Sequence, residues 1–569
     1  MKKIMLTVWA IAAVFLLNAQ EKFYTEPVNI PVLLSGNFGE LRGNHFHMGI
    51  DIKTEGRVGV PIHATAAGYI SRISIAPTGF GNALYVTHLN GTTSVYAHLL
   101  KFRKDIEEYI RSLQYEKETF AIDWELPAGK FPVEKGEMIA QGGNSGSSAG
   151  PHLHFEIRDT RTQDAINPLK YNLFNIKDQT PPRVYAVQLY PLGDQSHVAG
   201  SVKKKRYQTV AAHGKLHLAG NPVIPVHGQV GFAILSNDFF DESHNQCGIY
   251  SAKLTVDGKE VFSYQLDRVP FSKTRYLNSH IDYEGFVASQ NRFQKLWRDR
   301  GNKLDIYESG RNRGILTIDD QETHEVEITV ADFHGNHTRV LFRIKGNPLP
   351  LPEKKTPGNL VFRYNEDNSL KNDQVELDCP DGAFYEDFTF NYTSLDKTAG
   401  FFSRKHRLHD DKVPIHTALK LRIKAEDLPE RLHDKAIIVK TEPATNSKIS
   451  QGGSYADGWV TTEVRTLGTF AVTVDTIAPR ITPLSIRERN ALTESSQIRF
   501  RISDDLSGIK SYVGKIDGQW ALFEYDAKYS LLTYQIDPQR LELKKRHTLE
   551  LTVTDQCNNQ SVYEATFWK

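Results

Sequence analysis

The chain has 569 residues, which at about 150 residues per domain allows three to five domains. Hydrophobic residues make up 40% and charged ones 24%, with 69 Lys plus Arg against 68 Asp plus Glu. These values exclude a disordered chain, a coiled coil and a polytopic membrane protein, and they supply no basic field for nucleic acid or an anionic membrane. Four Met and three Cys stand against 24 Tyr, 29 Phe and 40 Gly, a bias toward β-structure.

Lys2 and Lys3 precede an apolar run over residues 4–17, shorter than the about 20 residues that a membrane span needs. With Ala19 before Gln20, the pattern is that of a secretory signal peptide over residues 1–19. Leu17, where a small residue is favoured, leaves an uncleaved anchor as the alternative. No Cys follows the run to take a lipid. Export is expected, to the periplasm or cell envelope or by secretion, with no stable transmembrane segment after cleavage. Residues 20–35 then form an N-terminal segment. Cys247, Cys379 and Cys557 are too far apart and too few for a disulfide framework or a thiolate metal site.

The residues that carry chemistry cluster in 36–175. His47-Met48-Gly49-Ile50-Asp51 comes first, then Tyr96-Ala97-His98-Leu99, then Gly150-Pro151-His152-Leu153-His154-Phe155-Glu156. In a strand, alternate side chains share a face, so His152, His154 and Glu156 project together while Leu153, Phe155 and Ile157 face a core. The same rule puts Ser94, Tyr96 and His98 on one side. His47 and Asp51 share parity but would lie about 13 Å apart along a straight strand. One ion cannot be gripped across that span, so the backbone must bend, and Gly49 is placed to allow it. Two imidazoles and a carboxylate form an N₂O set that suits zinc with its fourth position open to water. Glu156 is either an orienting partner for an imidazole or a solvated strand end.

These three motifs in order, with Gly79-Phe80-Gly81-Asn82, Val133-Glu134-Lys135-Gly136 and the glycine loop at 143–150, resemble the lysostaphin-type (LytM-like) zinc endopeptidases that cut peptidoglycan peptides. The resemblance covers about a fifth of the chain. It implies an antiparallel β domain, one Zn²⁺ per chain held by His47, Asp51 and His154, and catalytic roles for His98 and His152 beside it. Peptidoglycan peptides are the implied substrate partner. His45, His63 and His88 match no position of the motif.

Between His98 and Gly136 the chain is longer than the family pattern. Ile106, Tyr109, Ile110 and Leu113 recur at helical spacing, predicting an amphipathic helix over 104–115 within an insertion near 101–132. The insertion either covers the cleft, packs on a neighbouring module, or lies on the surface without a role.

Beyond 175 an internal repeat appears. Asp178-Gln179-Thr180-Pro181-Pro182-Arg183 parallels Asp475-Thr476-Ile477-Ala478-Pro479-Arg480. Asp257-Gly258 and Asp517-Gly518 follow Gly-Ile at identical spacing, and Thr329-Val330-Ala331-Asp332 parallels Thr552-Val553-Thr554-Asp555. Asp-Gly between apolar runs predicts type I′ hairpins. Residues 176–346, with an insertion, and 475–569 thus resemble bacterial immunoglobulin-like β-sandwiches. Residues 347–357 hold four prolines and read as an extended linker. Period-two runs at Phe384, Phe388, Phe390 and Tyr392, and at Phe470, Val472 and Val474, predict a further β-sandwich over 358–474. No cluster in these modules suggests chemistry of its own. The fold class is therefore mainly all-β, a LytM-like antiparallel domain followed by three sandwiches.

The leading functional expectation is an exported zinc endopeptidase acting on wall peptides, its sandwiches contacting wall or an envelope protein. The alternatives are a non-catalytic LytM-like activator of another hydrolase, and an adhesin whose sandwiches do the main work.

Overall fold

Alternation of apolar and polar side chains dominates the sequence, and the fold answers it with sheets throughout. The computed structural model describes residues 22–569 apart from 213–214, 309–310, 350–359, 443–444, 446, 487–489, 493–495 and 543. The expected signal segment and most of the proline-rich linker lie outside the described residues. Among the described residues no helix is long and apolar enough to cross a membrane.

The N-terminal part is built from β1 (Leu34–Gly36), β2 (Ile50–Lys53), β3 (Pro61–His63), β4 (Gly68–Ile75), β5 (Asn82–His88), β6 (Thr92–Phe102), helix α1 (Lys104–Glu116), β7 (Ile122–Glu125), β8 (Pro132–Val133), β9 (Met138–Gly142) and β10 (His152–Asp159). The strand order is β1-β2-β10-β6-β5-β4-β7, with β9 joining β6 to β3. The pairings are antiparallel. Leu153, Phe155 and Ile157 are fully buried, so β10 presents its odd positions to the core. Ile106, Ile110 and Leu113 bury the apolar face of α1 against the same core.

That core does not end with the N-terminal part. A single apolar cluster runs from Tyr24 to Tyr385 and includes the first downstream sheet. A short strand, Ala165–Ile166, pairs with Arg268–Val269, so the sheet itself is extended by the next module. Strands between Arg183 and Gly346 form this module's 12-stranded sheet. Its segment near 268–289 turns through short helical pieces and packs on the N-terminal part. There Phe46 N donates to Thr274 Oγ1, and Asn278 donates to Asn44 Oδ1.

Two smaller cores follow. One spans Phe362 to Val472 and lies between two five-stranded sheets. The other spans Ile486 to Phe567 between a four- and a five-stranded sheet. Both Asp-Gly turns have positive φ at each central residue (Asp257 49° and Gly258 73°; Asp517 50° and Gly518 76°), the type I′ requirement.

The last module folds back on the first. Arg111 of α1 pairs with Asp537 at 3.2 Å, Tyr115 meets Trp520 edge-on at 5.2 Å, and Arg540 stacks over the Tyr115 ring. Of the three options for the insertion, packing on a neighbouring module is what its helix does.

Candidate metal centre

Strand register builds the site. β2 pairs with β10 so that Asp51 lies opposite His154, and opposed residues of an antiparallel pair share a face. His47 stands outside the strand, at the end of a tight loop closed by Gly39 N to His47 O and His47 N to Glu40 O, both 2.8 Å. The loop delivers its imidazole beside Asp51. Gly49 serves a different purpose from the expected bend. It has no positive φ, and a Cβ there would lie 2.3 Å from Phe155 O, so the missing side chain lets β10 pass.

Three acceptor atoms then meet. His47 Nε2, His154 Nδ1 and Asp51 Oδ1 are 2.9–3.0 Å from one another. His47 Nδ1 lies 2.7 Å from Asn37 O, and His154 Nε2 lies 2.9 Å from Glu156 Oε1. A carbonyl or carboxylate only accepts, so both outer nitrogens carry a proton, and the inner nitrogens are the ones that a cation would take in exchange for any proton they share with Asp51. Two imidazole nitrogens and a carboxylate oxygen facing one point, all three residues at least nine-tenths buried, form a site that fits a cation. Tetrahedral zinc with bonds near 2.0–2.2 Å would spread such ligands to about 3.3–3.6 Å, a small adjustment.

The electrostatics agree. Burial opposes the charge on Asp51, yet His47, His152 and His154 outweigh it and hold the carboxyl well below its usual range. Burial likewise opposes a charged His154, but Asp51 and Glu156 raise it to about 9. The pocket therefore favours positive charge at its centre. Arg42 Nη2 donates to the other Asp51 oxygen at 2.8 Å, and Gly36 leaves room for both, since a Cβ there would lie 2.6 Å from Arg42 and 2.8 Å from Asp51.

Glu156 is fully buried and accepts from Arg158 Nε at 2.6 Å, which excludes a solvated strand end. Arg158 in turn lies 4.1 Å from the Phe271 ring centre, so the first downstream module braces the support of His154.

His98 reaches the cleft by a route that alternation does not predict. Tyr96 packs in the core against Phe155, with its hydroxyl bonded to Thr65 N at 2.8 Å, so it is not on the cleft face. A strictly alternating strand would send His98 the same way. Instead His98 has φ +59°, and the β5–β6 register slips between Asn82/Leu99 and Leu84/Tyr96. This bulge turns the imidazole over, to ring-centre distances of 4.8 Å from His152 and 5.9 Å from His154. His98 Nδ1 donates to Ser145 O at 2.9 Å, and His152 Nδ1 to Gly150 O at 2.8 Å. Each thus turns a lone pair at Nε2 toward its surroundings, with His152 Nε2 3.4 Å from Asp51 Oδ1. Burial, then the charges of His154 and His152, push His98 down to about 3.

The other histidines stand apart. His45 bonds Gly43 O, His63 bonds Asn29 and Gly136 O, and His88 is held by Ala67 O and Ser94. The sequence reading missed Asn37, Arg42 and Arg158. Arg158 had a signal, since it continues the 152-154-156 parity; Asn37 and Arg42 had none.

Two buried imidazoles and a buried carboxylate on an antiparallel sheet, flanked by two further imidazoles, make a candidate site of the metallopeptidase type. Residues 45–114 match the model of Peptidase family M23. Residues 359–475 match that of a Zu5-like domain. The chain is 32% identical over 112 residues to the DD-carboxypeptidase/endopeptidase Mpg of Neisseria meningitidis serogroup B, covering 20% of each protein. It is 32% identical over 127 residues to an uncharacterized metalloprotease of Haemophilus influenzae, covering 22% of this chain and 21% of the relative. The chain thus spans about a fifth of the length of these curated relatives. The catalytic domain of lysostaphin from Staphylococcus simulans is similar at 21% identity, covering 25% of this chain and 91% of that one, with a TM-score of 0.19.

Proposed function

We propose that the protein is an exported zinc endopeptidase that hydrolyses peptide bonds in peptidoglycan stem peptides or cross-links. The observation that carries it is the convergence of His47 Nε2, His154 Nδ1 and Asp51 Oδ1, buried and 2.9–3.0 Å from one another. His47, Asp51 and His154 would hold one Zn²⁺, which when bound would supply Lewis acidity toward water and the scissile carbonyl.

The chain's own residues handle the protons. With Nδ1 pinned to a backbone carbonyl, His98 and His152 each offer Nε2 as a base; once protonated, the same atom donates to a developing oxyanion or to the leaving amine. Burial and the neighbouring imidazoles keep His98 neutral at neutral pH. A non-catalytic activator would not need this complete set of ligands and bases, so the enzyme reading is preferred. Tight packing of the downstream modules on the N-terminal domain argues against an incidental enzyme domain on an adhesin.

The test is digestion of purified peptidoglycan by the full chain, with products identified by mass. Cleavage of peptide bonds that stops on chelation and returns with zinc is expected. Asp51→Ala is expected to lose both zinc and cleavage, whereas His45→Ala keeps them. Undigested wall, or full zinc occupancy and activity in Asp51→Ala, would overturn the proposal.

A further inference from the structure

The repeat modules, which the sequence shows without a chemical cluster, do contain one. Asp178 lies in the connection leaving the N-terminal domain, Asp238 follows the strand Val223–Asn237, and Asp332 follows the strand Thr323–Ala331. Their carboxylates come within 4.8 Å of one another, although the residues are 60 to 154 positions apart. All three residues are buried, Asp238 at 1% exposure and Asp332 at 2%.

Two of these oxygens are left without a hydrogen bond: Asp178 Oδ2 and Asp238 Oδ1. Asp332, by contrast, is served by Asn336 N at 2.9 Å and Asn336 Nδ2 at 2.7 Å. Among the described residues the basic side chain that an ion-pair contact joins to the cluster is His334, whose Nδ1 is 3.5 Å from Asp178 Oδ2. Buried polar atoms normally find a partner, and buried carboxylates pair or bind metal.

We propose that Asp178, Asp238 and Asp332 hold one hard divalent cation of the calcium class, at a site separate from the peptidase centre. An all-oxygen, anionic donor set suits calcium, which takes 6–8 oxygen ligands at 2.3–2.6 Å in flexible geometry, with backbone carbonyls and water completing the shell. Without soft or imidazole donors among the three, the set does not favour zinc.

The repeat supports the reading. Asp475, Asp504 and Asp555 converge in the last module by the same rule, and Asp504 Oδ1 is again without a partner. Asn559 Nδ2 bonds Asp475 O at 3.0 Å and Asp555 Oδ2 at 2.7 Å, and Asn336 Nδ2 repeats both bonds, to Asp178 O and Asp332 Oδ2, at the same distances. In the last module, however, Asp475 Oδ2 accepts from Ser507 N, so the first cluster is the one with unused oxygens on two residues.

Occupancy would bear on the peptidase centre. Asp238 pairs with Cys247 across a loop, and the next residue, Gly248, exchanges two hydrogen bonds with the Asn37 side chain at 2.6 and 2.8 Å. Asn37 O is the acceptor that orients His47.

The experiment is calcium binding to the full chain, stripped with chelator and reloaded with one equivalent of zinc, measured by equilibrium dialysis at pH 7.5. The parent is expected to bind one more calcium than Asp238→Asn, with zinc content equal in the two. Millimolar calcium is also expected to raise the parent's melting temperature by several degrees more than the variant's. Asn matches Asp in shape, so the variant should fold; if its circular dichroism differs from the parent's, Asp178→Asn takes its place. No calcium bound by the parent, or equal calcium in parent and folded variant, would overturn the proposal whether or not the chain proves to be a peptidase.

Discussion

Replacing Glu156 separates metal affinity from fold stability. The carboxylate is fully buried between His154 Nε2 at 2.9 Å and Arg158 Nε at 2.6 Å. Glu156→Leu removes the acceptor that fixes the His154 tautomer. Loss of such an orienting partner typically costs 10- to 100-fold in metal affinity, or about 1.4–2.7 kcal/mol. It also leaves Arg158 buried without its anion, and breaking a buried pair costs about 3–5 kcal/mol of stability. Phe271, 4.1 Å from the guanidinium, offsets part of that. The double variant Glu156→Leu/Arg158→Met removes both charges, so most of the stability should return while zinc affinity stays low. The assays are chelator competition for zinc and thermal melting of the metal-free chain. Parent-like zinc affinity in Glu156→Leu would refute the orienting role. Recovery of affinity in the double variant would show that the loss came from the stranded arginine instead.

Replacing His98 or His152 should spare zinc and lower peptidoglycan cleavage by about 10²–10⁴-fold. For His98 the substitution should be Asn, which tolerates its φ of +59° where other residues are strained; cleavage at the parent rate would make that histidine a bystander. Burial pushes His280 down to about 4. Because its folded value lies below the ordinary 6.5, the stability it contributes is complete above pH 6.5 and is lost as the pH falls from 6.5 through 4, at most about 3 kcal/mol. His280→Gln should therefore show a shallower fall in melting temperature between pH 7 and 4.5, and an unchanged fall would remove His280 as a source. Lys528 of the last module donates to Asn144 O and Gly146 O, on either side of the Ser145 carbonyl that holds His98. A charged donor's bond is worth about 1.5–3 kcal/mol, so Lys528→Met should speed amide exchange across residues 143–148 by about 10-fold or more; unchanged exchange would show that the contact does not restrain the loop.

What the sequence determined by itself is what consecutive residues encode. Period two at 152–157 places His152, His154 and Glu156 on one face and Leu153, Phe155 and Ile157 in the core, and local sterics alone require it. Asp-Gly at 257 and 517 specifies its turns for the same reason, as does the apolar spacing of α1. Tertiary structure decided everything that depends on meeting across the chain. Alternation sends His98 to the core with Tyr96, and only the slip against β5 turns it into the cleft. Arg42 reaches Asp51 through a loop whose course has no periodic signature. The brace of Phe271 on Arg158 and the meeting of three aspartates from distant strands need the packed modules. Burial completes the difference: whether Glu156 is a solvated end or a fixed support, and whether Asp238 is a surface charge or an unpaired ligand, depends on how much water the neighbouring modules exclude.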